Sequence, residues 1–86
     1  MGKIEAAFPE GFNTPTLDEL AVDKLSIAML EKLAAKAALG ARGWETCSEE
    51  RLRLLLQTAV NKGDPVDIAN YCAMLYWQRT RPSPAA

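Results

Sequence analysis

Histidine is missing from this chain. Its absence removes the commonest general base near neutral pH and the commonest zinc ligand. Cysteine is scarce: Cys47 and Cys72 are the two present, with no Cys-x-x-Cys pair. That excludes a disulfide framework and a zinc-ribbon pattern. No apolar run approaches the roughly 18–20 residues that a membrane span needs. No P-loop and no Gly-x-Gly-x-x-Gly occurs, so neither common phosphate cradle is encoded. A basic excess is missing too. Residues 1–43 carry five Lys/Arg against six Asp/Glu, and residues 44–86 carry five against five. Nucleic-acid binders draw most of their affinity from phosphate neutralisation, so this balance gives such a partner no support.

What is present is helix punctuation. Thr16-Leu17-Asp18-Glu19 fits a capping box, in which Thr16 takes the Glu19 N–H and Glu19 reaches back. A first helix is expected from there to about Leu39, ended by Gly40. Leu20, Ile27, Leu30, Ala34 and Ala37 form one apolar stripe along it, and Val22, Leu25, Met29 and Leu33 form a second. An arc that wide calls for cover on more than one side. The expectation is a central helix packed across the other two, or the seam of a homodimer.

Gly43 in the loop after this helix is placed to take a positive φ and turn Trp44 inward. Thr46 or Ser48 is the candidate cap of a second helix over about 49–62. Leu52, Leu55, Leu56 and Ala59 there follow the amphipathic spacing. Gly63 stops that helix, Asp64 caps a third, and Pro65 takes its first position, where a missing N–H costs nothing. Asp67 stands where a capping box would reach back. The third helix is expected over about 65–79, with stripes Val66–Ala69–Ala73–Tyr76 and Ile68–Cys72–Leu75–Arg79. Both cysteines read as small apolar fillers with reduced thiols. Residues 1–15, with Pro9, Gly11 and Pro15, read as an irregular arm whose Phe8 and Phe12 tuck onto the body or dock on a partner. Residues 82–86 read as a disordered tail. No leader peptide is evident in the short, mixed-charge opening, so a cytoplasmic setting is expected. The fold class is all-α: a small three-helix bundle in residues 16–81.

The chemistry-bearing constellations are few. Asp64, Asp67 and Asn70 recur every third residue and offer oxygens that could share Mg²⁺, with Lys62 beside them for a phosphate. The same residues are needed as turn and caps, which is the reading preferred. All-helical, Mg²⁺-dependent nucleotide pyrophosphohydrolases of the MazG type require a Glu-x-x-Glu pair, and none occurs. No Ser- or Cys-centred triad can be built without histidine, unless a lysine is the base. Ala59, Gly63 and Ala69 approximate helix-turn-helix spacing, yet the would-be recognition helix opens on carboxylates that would face phosphate. Trp44, Tyr76 and Trp77, with Arg42, Lys62, Arg79 and Arg81 around them, have the composition of a protein-binding hot spot.

The run Arg42-Gly43-Trp44, Cys47, Leu52 to Leu56, then Lys62-Gly63-Asp64-Pro65-Val66-Asp67-Ile68-Ala69-Asn70-Tyr71 and Met74-Leu75-Tyr76-Trp77 resembles a pattern shared by small phage and prophage proteins. Some of these occur as C-terminal modules of larger phage proteins. The likeness covers about residues 24–80. Arg42 departs from it where a first glycine is usual, and no His follows Leu56. The resemblance implies a phage genome, a host-cytoplasm setting and an accessory role, as an inhibitor or adaptor of a host or phage protein.

The sequence therefore predicts a non-enzymatic protein-binding module without cofactor or metal. Its partner-binding residues would be Arg42, Trp44, Lys62, Tyr76, Trp77, Arg79 and Arg81. Thr16, Gly40, Gly43, Gly63, Asp64, Pro65, Asp67 and Asn70 would be its turn and cap framework. A nucleotide or Mg²⁺ module at the turn after the second helix is the first alternative, and a DNA-binding helix-turn-helix the second.

Overall fold

The computed structural model describes residues 15–81. The expected arm, with Phe8 and Phe12, and the tail over 82–86 lie outside those residues, apart from Pro15. The described chain is all-α: helix α1 Leu17–Ala38, a 3-10 turn Trp44–Thr46, helix α2 Glu49–Lys62 and helix α3 Pro65–Thr80. Together they form the three-helix bundle that the punctuation predicts.

Each helix starts where a side chain can take its free N–H groups. The Thr16 hydroxyl accepts from Glu19 N–H at 3.1 Å, and Glu19 Oε1 accepts from Thr16 N–H at 3.0 Å, a complete capping box. Of the two candidate caps for α2, Ser48 is the one used: its Oγ accepts from Arg51 N–H at 3.1 Å. Thr46 belongs to the 3-10 turn instead. At the α2–α3 corner Gly63 has φ +73°. This left-handed residue lets the Gly63 and Asp64 N–H groups close on the Ala59 carbonyl, at 2.9 and 3.3 Å. Asp64 Oδ1 then accepts from Val66 and Asp67 N–H, at 3.0 and 3.3 Å.

The α2–α3 pair carries the core. Leu52 is 0% exposed and packs with Met74 and Leu75. Leu33, Trp44, Cys47, Leu55, Leu56 and Tyr71 close around them, half-buried. Taking a leucine fully out of water stabilises by about 1.5–3 kcal/mol. A core this thin rests heavily on its one fully covered leucine.

Three expectations are corrected. The buried line of α3 is Asn70, Met74 and Leu75, whereas Ala73, Tyr76 and Cys72 are exposed. Cys72 is thus no core filler. Asp67 does not reach back to the cap, because its carboxylate goes to lysines of α1. Finally, α1 does not lie across both partners. It packs along α3, and none of its residues is buried. The second stripe supplies that contact, through half-buried Met29 and Leu33, while Leu20, Ile27 and Leu30 of the first stripe stay exposed.

Candidate functional site

Two features sit where the elements meet. The first is an ionic latch between α1 and the start of α3. Lys32 Nζ pairs with Asp64 and, at 3.1 Å, with Asp67, and Lys36 Nζ lies 3.0 Å from the other Asp67 oxygen. The spacing explains the set. Lys32 and Lys36 are four apart on α1, and Asp64 and Asp67 three apart at α3's start, so both pairs project from single faces. The Lys32 ammonium and the Val66 and Asp67 N–H groups hold the Asp64 carboxyl down to about 2. The same carboxylates push the Lys32 amine above its ordinary value. Beside the latch, Asn70 is 2% exposed, and its Nδ2 donates to the Met29 carbonyl at 3.3 Å.

The second feature is a groove of about 760 Å³, open on one side, where α1's last turns, the 41–45 loop, α2 and α3 converge. Leu33 and Ala37 form one wall, Leu55 and Cys47 another, and Tyr71, Met74 and Trp77 the third. Gly43, at φ +95°, turns the chain so that Trp44 enters the groove. There its ring meets Trp77 edge-to-face, with centroids 5.2 Å apart and planes at 81°. Such a pair adds about 0.5–1.5 kcal/mol beyond its burial.

Gln78 holds that corner shut. Its Nε2 donates to the Trp44 carbonyl at 3.0 Å and to the Cys47 carbonyl at 2.8 Å. Arg81 adds a bond to the Glu45 carbonyl at 3.2 Å, and its guanidinium lies 5.1 Å from the Trp77 ring centre. Lys36 sits 5.5 Å over Tyr71 on the rim. Arg42 also lines the groove and carries no ion pair among the described residues. Lys36, Arg42 and Arg81 thus outnumber Glu45 around an apolar floor, with Lys36 also paired to Asp67.

The residues that the sequence marked for partner binding divide. Arg42, Trp44 and Trp77 line the groove and Arg81 stacks at its edge. Tyr76 is exposed elsewhere on α3. Arg79 grips Glu49 in a two-pronged ion pair, at 2.8 and 3.2 Å, which holds the Glu49 carboxyl below its ordinary value. Lys62 lies at the end of α2, beside a separate depression of about 200 Å³. Of the framework residues, Thr16, Gly63, Asp64 and Pro65 cap or turn as the spacing predicts. Gly40 takes φ +91° at the end of α1. The roles of Lys32, Lys36, Gln78 and Glu49 were not anticipated.

Of the would-be Mg²⁺ oxygens, the two carboxylates are otherwise engaged, while the buried Asn70 Oδ1 accepts no hydrogen bond among the described residues. Asp64 and Asp67 face two ammonium groups, and among the described residues no group of three or more His, Cys, Asp or Glu stands where it could hold a metal. Nor is any described helix long and apolar enough to cross a membrane. No family model, curated protein or solved structure matches this chain.

Proposed function

We propose that this chain is a phage-type accessory protein that works without catalysis, by holding a host or phage protein in the Trp44–Trp77 groove. The observation that carries the reading is the groove's composition: two tryptophans in contact, an apolar floor and a rim of Lys36, Arg42 and Arg81. Aromatic and arginine side chains in a partly desolvated pocket are what protein hot spots are made of. A segment offering a bulky apolar side chain flanked by carboxylates fits that charge. The likeness to small phage proteins supports the host-cytoplasm setting, and inhibition or recruitment of the bound protein follows from occupying its surface.

The competing nucleotide or Mg²⁺ reading needs free carboxylates at the α2–α3 corner, and the latch occupies them. The DNA-binding reading would set Asp64 and Asp67 against phosphate. The experiment is comparative capture from host lysate with the wild type, Trp77→Ala and Arg42→Glu as baits, with far-UV circular dichroism as the fold control. A protein retained by the wild type and lost from both folded variants supports the groove. Equal retention by all three overturns it. So does thermal stabilisation by a nucleotide with Mg²⁺ that disappears in Asp67→Ala.

A further inference from the structure

The exposed stripe of α1 has an occupant that its own pattern describes. At about 100° per residue, Leu20, Ile27, Leu30 and Ala34 lie roughly 150° round the helix from the line that meets α3. Leu20, Ile27 and Leu30 are 49%, 59% and 67% exposed. We propose that this stripe is the seam of an antiparallel homodimer, with α1 of a second copy laid along it.

Leu20, Ile27 and Ala34 recur every seven residues, with Asp23, Leu30 and Ala37 interleaved three residues later, which is the spacing of a two-helix seam. Laid antiparallel about the midpoint of Ile27 and Leu30, the seam sets its two large residues together at the centre and an alanine opposite each residue further out. Ile27 meets the partner's Leu30, and Leu20 meets the partner's Ala37. Asp23 meets the partner's Ala34, a small residue that leaves water access to the carboxylate.

Charge chooses the orientation. Lys24 and Glu31 flank the stripe on one side, and neither is in an ion pair among the described residues. They stand seven residues apart, about 10 Å along the axis, too far to pair within their own helix. In the antiparallel arrangement Lys24 lies beside the partner's Glu31, and the two-fold axis repeats the pair.

Four large apolar side chains stand open along this side, Leu17, Leu20, Ile27 and Leu30 at 73%, 49%, 59% and 67% exposure, and the stems of Lys24 and Glu31 extend the surface a second copy would cover. Ala37 belongs to both the end of the seam and one wall of the groove, whereas Leu20, Lys24, Ile27, Leu30 and Glu31 lie outside the groove lining, so changes at those positions test the seam apart from the groove.

Sedimentation equilibrium at low salt over a wide concentration range tests the seam. The wild type is expected to be a dimer, and Ile27→Asp a monomer with unchanged far-UV circular dichroism. Lys24→Glu sets like charges together twice and weakens association roughly tenfold. The swap Lys24→Glu with Glu31→Lys restores it. A wild-type monomer at every concentration overturns the proposal. So does a double swap that remains as weak as Lys24→Glu, since that would remove the antiparallel pairing.

Discussion

Replacing Gln78 with leucine tests whether the Trp44–Trp77 corner is fixed by a hydrogen-bonded clamp or merely by apolar packing. The Gln78 amide donates to two carbonyls, Trp44 O and Cys47 O. They are not equally exposed to the loss. Trp44 O also accepts the Cys47 N–H at 3.1 Å, so it keeps a partner. The cost therefore falls mainly on Cys47 O. One intramolecular hydrogen bond contributes about 0.5–1.5 kcal/mol, and stranding a half-buried carbonyl adds to it, so the total expected is about 1–2 kcal/mol. For a domain this small each kcal/mol lowers Tm by about 4–8 °C, which gives a fall of about 4–16 °C. The local effect is more diagnostic than the global one. Trp44 and Trp77 sit edge-to-face, and their coupled near-UV circular dichroism reports that geometry. In Gln78→Leu the near-UV signal should weaken well below Tm while the far-UV helical signal persists. An unchanged near-UV spectrum with Tm within 1 °C of wild type would refute the clamp.

The other predictions concern the corner, the core and the latch. Gly63→Ala should cost about 1–2 kcal/mol, read by urea titration, because an alanine pays the left-handed penalty where its Cβ would meet nothing within 4 Å. Leu52→Ala should cost about 2–5 kcal/mol, enough to leave a large unfolded fraction in a domain with this little core, and calorimetry would read it as a lost or much lower transition. The acid limb should draw on Asp64, with Glu49, held down by Arg79, acting in the same direction. The Asp64 carboxyl is depressed from 3.8 to about 2, so its stabilisation is complete above 3.8 and is lost as pH falls from there through about 2. Asp64→Asn keeps a capping oxygen but loses the ion pair, so its Tm-against-pH curve should be flatter than the wild type's over that window.

What was legible in the sequence is what contiguous residues settle among themselves. Thr16 and Glu19 cap each other across one turn, and Gly63-Asp64-Pro65 closes one helix and opens the next within three residues. No distant contact has to be known for either. The alignment of the third helix was misread for the opposite reason. Its buried line includes Asn70, and Gln78 further along the same face holds the 44–47 turn, so two amides interrupt the apolar pattern. Alanine at 69 and 73 then made a false stripe, since alanine is tolerated on either face. The latch was invisible because its paired residues are 31 to 35 positions apart. Charged residues read as solvated until the packing of α1 on α3 brings them together. The groove was half legible: Trp44, Trp77, Arg42 and Arg81 stand out by type, whereas Lys36, Tyr71 and Gln78 acquire their places from the fold.

The latch and the groove are mechanically one unit, and Lys36 is the reason. Its ammonium pairs with Asp67, lies over the Tyr71 ring and lines the groove mouth. The wall made by Leu33 and Ala37 is carried on the same two turns of α1. With no buried residue in α1, little apolar area fixes where that helix lies on α3. Directional contacts must therefore do so: Lys32 and Lys36 to the two aspartates, and Asn70 to the Met29 carbonyl. An incoming carboxylate would compete with Asp67 for Lys36. Binding at the groove would then weaken one pair of the latch while leaving Lys32 to hold the other. The second pair makes the arrangement tolerant of that exchange. A lysine at 36 alone would force the protein to choose between binding an acidic partner and keeping the wall that binds it.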